Sequence, residues 1–354
     1  MPRPIQARID LSALECNLQV VRRASSARIM AVIKADAYGH GLLRAAEALN
    51  EAEGFALLDI RDAICLRDAG FSQTILLLEG FFTPDDLPLV AEYDLACVIH
   101  NQQQIDMLEA YPRRRSLDVW LKVDSGMNRL GFAPDKFSAA LQILKKHPAV
   151  RDITLMTHFS HADESTGVAA QFNMFNELAA PYRMARSLAN SAALLRYPAT
   201  HADWVRPGIM LYGASPLVEN SSQQLGLRPV MTLQSRIIAV QELSPGEGIG
   251  YGGAFRAESP MRVGVVACGY ADGYPRHAPT GTPVLVDGQR TRTLGRVSMD
   301  MLTVDLSALP AADVGSRVTL WGEGLPVEKV AHAADTISYE LLCALTARVP
   351  IVTN

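Results

Sequence analysis

The chain has 354 residues, a length that suggests two domains at about 150 residues each. With 49% hydrophobic and 20% charged residues it can bury a sizeable core and is neither a disordered nor a solvating segment. The net charge of −4 gives no basis for binding nucleic acid or an anionic membrane surface, both of which need clustered positive charge.

In chain order, short apolar runs rich in β-branched residues are predicted as strands at residues 28–33, 55–58, 75–78, 95–99, 117–123, 153–157, 186–189 and 202–206. Helix-like stretches at 42–49, 61–68, 102–110, 136–146 and 168–184 lie between them. Strands alternating with helices read as βα units around a parallel sheet. Eight such units fit a (β/α)8 TIM-type barrel, and a doubly wound open sheet is the alternative. The latter is weakened by the missing GxGxxG phosphate fingerprint.

After about residue 228 the helices give way to short alternating runs at 232–240, 262–267, 283–286, 292–297, 302–306 and 317–321, with Asp287-Gly288 as a hairpin turn. The expected division is therefore a barrel domain over residues 1–228 and a mainly β domain over 229–354, closed by helix-like pieces at 327–334 and 339–345.

The basic run Arg113-Arg114-Arg115 follows Pro112 and reads as a solvated loop. Cys16, Cys65, Cys97, Cys268 and Cys343 are far apart and odd in number, which argues against a disulfide framework and against a structural metal site. The polar N-terminus has no signal-like apolar core, and no apolar run approaches the roughly 20 residues of a membrane span. A reducing cytoplasm is the expected compartment.

The first predicted barrel strand ends in Lys34, followed by Ala35-Asp36-Ala37-Tyr38-Gly39-His40-Gly41. The C-terminal ends of barrel strands carry the active site, so an ammonium here faces the catalytic mouth. Burial beside apolar strand residues lowers its pKa and exposes a nucleophilic amine; taken alone, a strand-end lysine snorkelling to solvent is an equally good reading. The Tyr38 hydroxyl and the paired glycines, which permit close backbone approach to a ligand, suggest an anion site beside the amine. A lysine beside an anion site fits pyridoxal 5'-phosphate, a cofactor with both an aldehyde and a phosphate.

The lysine motif resembles the cofactor-lysine signature of the alanine racemases, enzymes of the fold-type III pyridoxal-phosphate class built from a barrel plus a β domain. The resemblance continues in order through Lys122-Val123-Asp124-Ser125-Gly126-Met127-Asn128-Arg129-Leu130-Gly131, Thr157-His158-Phe159, Asn190-Ser191-Ala192-Ala193 and Val205-Arg206-Pro207-Gly208-Ile209. It goes on through Gly250-Tyr251-Gly252, Gly269-Tyr270-Ala271-Asp272-Gly273, Gly295-Arg296-Val297-Ser298-Met299-Asp300 and Thr336-Ile337-Ser338-Tyr339-Glu340. Glu79-Gly80-Phe81-Phe82 and the segment Ala278-Pro279-Thr280-Gly281-Thr282-Pro283 resemble the catabolic isoform.

The resemblance implies interconversion of L-alanine and D-alanine by two bases on opposite faces of Cα. Lys34 would carry the cofactor and serve the D enantiomer, and Tyr251 the L enantiomer, with His158 and Arg206 helping to lower the phenol's pKa. Arg206 would also face the pyridine nitrogen, where a decarboxylase of the same fold would be expected to place an acid. Phosphate binding would fall to Tyr38, Ser191, the amides of Gly208 and Ile209, and Tyr339; Ser191 also reads as a helix N-cap. Arg129 and the Met299 backbone would hold the substrate carboxylate. Lys122 would be carbamylated, or joined by a bound anion such as chloride, to orient Arg129. Tyr270, Arg296, Asp300, Arg276 and Asp163 would line the access route. A head-to-tail homodimer is implied, with β-domain residues completing the partner's site. The rivals are a pyridoxal-phosphate decarboxylase of the same fold and a non-catalytic carrier of the cofactor.

Overall fold

Residues 3–111 and 116–353 are described by the structure, a computed structural model, so the run Arg113-Arg114-Arg115 lies outside the described residues. Strands Arg28–Val32, Gly54–Leu57, Thr74–Leu77, Ala96–Ile99, Leu117–Lys122, Val150–Met156, Arg186–Ser187 and Trp204–Val205 form a closed parallel barrel. The first and last strands seal it, with Ile29 opposite Val205. Phe55, Leu76, Val98 and Leu121 are fully buried, as expected for parallel strands covered on both faces.

The expected helices are present as Leu42–Ala48, Ile60–Asp68, Gln102–Glu109, Pro134–Lys146 and Ala169–Ala179. The last is shorter than the predicted 168–184 stretch: it ends at Ala179, one residue before Ala180-Pro181, and Pro181 has no N–H with which to continue the helix. Two further helices, Leu11–Ala24 and Asp86–Glu92, were not expected. The first is capped by the Asp10 carboxylate, which accepts from the Ala13 amide, and it buries Leu14, Leu18 and Val21.

The remainder forms an eight-stranded sheet around the 13-residue strand Met231–Leu243. That strand pairs antiparallel with Met261–Val266 and Arg317–Trp321. In the hairpin between Pro283–Val286 and Gln289–Leu294, Asp287 and Gly288 both have positive φ, as a type I′ turn requires. The boundary at residue 228 needs one correction. The strand Gln6–Ile9 lies in this sheet, between Met231–Leu243 and Ile351–Thr353, so the β unit takes its strands from both chain ends.

The buried Asp272 carboxylate ties these ends to the β domain. It accepts from Arg3 at 2.6 Å, from Arg348 at 2.9 Å and from the Gly269 amide at 2.9 Å. Replacing Asp272 by Ala strands these donors, and a loss of roughly 2–3 kcal/mol is expected in urea unfolding, with the midpoint lowered and the slope unchanged.

Candidate active site

Lys34 follows the first barrel strand and opens a turn in which Ala35, Asp36, Ala37 and Tyr38 have φ between 51° and 55°. This is left-handed backbone, which costs L-residues about 1–2 kcal/mol each. Local contacts offset that cost: the Ala37 amide donates to the Ile33 carbonyl at 2.9 Å, and the Leu42 amide to the Asp36 carboxylate at 2.7 Å. Gly39 is obligatory for packing rather than for ligand approach, since a Cβ there would lie 2.4 Å from the Leu342 carbonyl oxygen. The expectation that the paired glycines bring backbone to a ligand is corrected accordingly: Gly41 faces the Arg44 side chain.

The left-handed turn presents the Tyr38 ring to Tyr212 at 4.6 Å and to Tyr339 at 5.9 Å between centroids. A Cβ on Gly208 would lie 2.6 Å from the Tyr38 hydroxyl, so the missing side chain lets that phenol approach the backbone closely. The Gly208 amide donates to the Ser191 hydroxyl at 2.9 Å, and Ile209 opens a short 3-10 turn whose first amides have no partner within it. Ser191 does not cap its helix; Asn190 does, accepting from the Ala193 amide at 3.0 Å. Hydroxyls and amides thus converge beside Lys34, the donor set a phosphate dianion needs.

Arg206, 4% exposed, donates to the Ser187 hydroxyl and the Thr157 carbonyl, both at 2.6 Å, and lies 3.4 Å from His158 Nδ1. Arginine only donates, so His158 Nδ1 accepts and its hydrogen sits on Nε2. Burial lowers the Arg206 pKa to about 10, which leaves it cationic at neutral pH. The hydrogen bonds that hold Arg206 are made by Nη1 and Nη2.

Positive charge accumulates here. Burial and then Arg129 lower the Lys34 pKa, against an opposing pull from Glu79 and Cys343. Burial, followed by the Arg206, Lys122 and Arg129 charges, holds His158 well below the usual imidazole range. Lys122, 7% exposed, is pushed from 10.5 to about 8 by burial first, then by Arg206 and Arg129. Arg129 itself is exposed on the loop between Val123 and Phe132, whose backbone Asp124 fastens by accepting from the Gly126 and Asn128 amides. So cationic a mouth calls for an anionic ligand.

Below pH 8 Lys122 is protonated both folded and unfolded, and the full cost of burying its charge weighs on the fold; between about 8 and 10.5 the unfolded chain binds more protons, so stability rises with pH. Replacing Lys122 by Met is therefore expected to stabilise by about 3 kcal/mol at pH 7 and by little above pH 10, checked by thermal melts in carbon-dioxide-free buffer.

The remaining expected residues lie elsewhere in the chain. Tyr251 is 73% exposed on the turn Tyr251–Gly253, where Arg296 Nη1 stands 3.5 Å from the place of a Cβ on Gly252. Met299, 53% exposed, takes the Ala271 amide on its carbonyl at 3.0 Å, which zips its loop to the one bearing Tyr270. Asp300 pairs with Arg348 at 2.6 Å. Asp163 acts on Tyr339, raising its pKa after burial, and Arg276 is exposed beyond the Tyr270 turn. Among the described residues, no hydrogen bond, ion pair or electrostatic influence joins Tyr251 or Met299 to Lys34. Sequence reasoning missed Thr157 and Ser187 as holders of Arg206, and Glu79 as the carboxylate acting on Lys34.

Comparison with known proteins gives matches to "Alanine racemase, N-terminal domain" over residues 9–216 and "Alanine racemase, C-terminal domain" over residues 230–353. The chain belongs to the alanine racemase family. Its fold is that of the family, and like its members it is a pyridoxal-phosphate-dependent isomerase that interconverts L-alanine and D-alanine. It is 64% identical to the alanine racemase of Nitrosospira multiformis, with 100% of each chain covered, and 59% identical to that of Nitrosomonas europaea over 100% of this chain and 99% of the relative. Among solved structures, the biosynthetic alanine racemase from Pseudomonas aeruginosa superposes with a TM-score of 0.97 at 47% identity, covering 99% of both chains. The alanine racemase from Acinetobacter baumannii gives 0.93 at 36%, covering 99% of this chain and 100% of that one. None of these relatives is described as catabolic, so the finer isoform expectation gains no support from them.

Proposed function

We propose that the barrel mouth and an exposed β-domain surface of a second copy together form the racemisation site, with Lys34 and Tyr251 as the two bases. The observation that carries this reading is the gathering of Lys34, Lys122, Arg129 and Arg206 around a cradle of Tyr38, Ser191 and Gly208. Once bound through Lys34, pyridoxal phosphate supplies the electron sink that acidifies the Cα–H of the amino acid. Tyr38, Ser191, the Gly208 and Ile209 amides and Tyr339 hold its phosphate. The Arg206 guanidinium donates to the ring nitrogen and keeps it unprotonated, which tempers the sink and favours racemisation over decarboxylation or transamination.

Arg129 and the Met299 backbone orient the substrate carboxylate. With that group fixed, Lys34 Nζ and the Tyr251 hydroxyl hold a proton on opposite faces of Cα, one removing and the other returning it. His158 and Arg206 act on the phenol as it gives up its proton. Tyr270, Arg296, Asp300, Arg276 and Asp163 border the route inward and limit side-chain size. Alanine is the fitted substrate and serine a poor one, since a pocket discriminates one small group by only about 1–3 kcal/mol.

Head-to-tail dimerisation is supported by the exposure of Tyr251, Met299 and Met301 together on the β domain. The lowered Lys122 pKa supports carbamylation, because the neutral amine is the form that attacks carbon dioxide, giving the carbamate and one proton. Branched density at Lys122 Nζ in crystals grown under bicarbonate is expected; an unbranched side chain would count against it. A cytoplasmic setting accords with five unbridged cysteines. The decisive assay is incubation of the purified protein with D-alanine, followed by chiral detection of L-alanine. Release of carbon dioxide would favour the decarboxylase rival, and cofactor binding without turnover the carrier.

A further inference from the structure

His40 belongs to the motif that follows Lys34, yet the racemisation scheme gives it no part. It is fully buried, with Nδ1 3.0 Å from the Ala37 carbonyl oxygen and 2.9 Å from that of Tyr38. Carbonyls only accept, so Nδ1 carries the hydrogen and Nε2 is bare; Nε2 has no partner among the described residues. The imidazole lies 4.7 Å from the Tyr212 ring, which stacks on Tyr38 and donates its hydroxyl to the Val32 carbonyl at 2.9 Å. One buried ring therefore grips the far end of the left-handed turn, while Tyr212 ties that end to the strand that delivers Lys34. A bare, sequestered Nε2 has no route to substrate, which rules out a direct acid or base role.

We infer that His40 is a positioning residue whose Nδ1–H locks the left-handed turn, so that the Lys34 amine and the Tyr38 hydroxyl stand at the fixed separation needed to hold the aldehyde and the phosphate of one cofactor molecule. This rests on the proposed reading of Lys34 and Tyr38 as cofactor ligands. Without the clamp, four strained residues relax toward right-handed backbone and carry Tyr38 away from Gly208. The two attachments then cannot be satisfied together, and the cofactor is held by one of them at a time.

The test uses two variants of the holoenzyme. H40N keeps an amide N–H near the place of Nδ1, whereas H40Q moves its donor toward the position of Nε2 and leaves the two carbonyls bare. Decay of the visible absorbance of lysine-bound cofactor during dialysis against inorganic phosphate is the readout, with thermal melts alongside. H40N should retain cofactor nearly as long as the parent, and H40Q should lose it at least about tenfold faster at a similar melting temperature. Equal retention by H40Q and the parent, or equal loss from both variants, would overturn the proposal. Nitrogen-15 NMR of the unaltered holoenzyme gives a second reading: a neutral Nδ1–H tautomer from pH 6 to 8 is expected, and an Nε2–H tautomer or a titration in that range would overturn it as well. If the visible band survives in Lys34→Ala, the ligand reading itself fails, whatever the His40 variants do.

Discussion

Replacing Lys34 by Ala removes the visible absorbance of bound cofactor and lowers racemisation at least about 10⁴-fold, while the protein stays folded. The size of the effect follows from the residue's two tasks. In the proposed scheme its amine would be the covalent anchor of the electron sink and the group that holds the proton on one face of Cα. Burial first, and then the nearby Arg129, weaken its hold on a proton, which favours the neutral nucleophile. Alanine at this position leaves the fold in place because the left-handed turn is held by Ile33, Asp36, Gly39 and His40 rather than by the lysine side chain. Absorbance, chiral turnover and circular dichroism on one preparation separate the outcomes. A variant that keeps the absorbance would show that the cofactor is anchored elsewhere.

Replacing Tyr251 by Phe produces a directional defect. Exchange of the α proton of L-alanine with deuterated solvent falls about 10²–10⁴-fold, whereas exchange from D-alanine is far less affected, since Lys34 remains. An equal loss for both enantiomers would refute the two-base assignment. The same variant probes assembly. Each proposed site takes Lys34 from one subunit and Tyr251 from the other, so a mixed dimer of Lys34→Ala and Tyr251→Phe chains has one intact site and one doubly altered site. Random re-pairing makes half the dimers mixed and should restore about a quarter of the parent activity from two inactive preparations. No recovery, with mixed dimers demonstrated by mass, would place both bases in the same chain.

Much of the barrel was legible because its strands are buried on both faces and so read as unbroken apolar runs. The short helix Asp86–Glu92 was not, since Pro88 reads as a breaker; it is tolerated because it falls in the first turn, where no intrahelical donor is required. The strand Gln6–Ile9 did carry a signal, with Ala7 and Ile9 inward and Gln6 and Arg8 between, but four residues ahead of a barrel give no hint that their partners lie more than 200 residues away. Lys34, Tyr38 and Arg206 were singled out through the family pattern, and their roles stand as proposed. Their geometry was not legible: Ala, Asp, Ala and Tyr favour right-handed backbone, and the opposite hand is imposed by the Leu342 carbonyl against Gly39 and by the His40 ring. The separation of Tyr251 from Lys34 within one chain is likewise invisible to local pattern, because it depends on where two domains face.

The pairing of Gln6–Ile9 with strands from the far end of the chain bears on how the protein is made. These residues leave the ribosome well before their neighbours Met231–Leu243 and Ile351–Thr353, whose synthesis comes more than 200 residues later. The nascent barrel must therefore mature with a strand edge unpaired, and the sheet can close only after Ile351–Thr353 has emerged. A scission near residue 228 would not yield two self-sufficient pieces, because the downstream fragment would lack a strand that only the upstream one carries. The strand Gln6–Ile9 thus acts as a clasp that is fastened only once Ile351–Thr353 has been made.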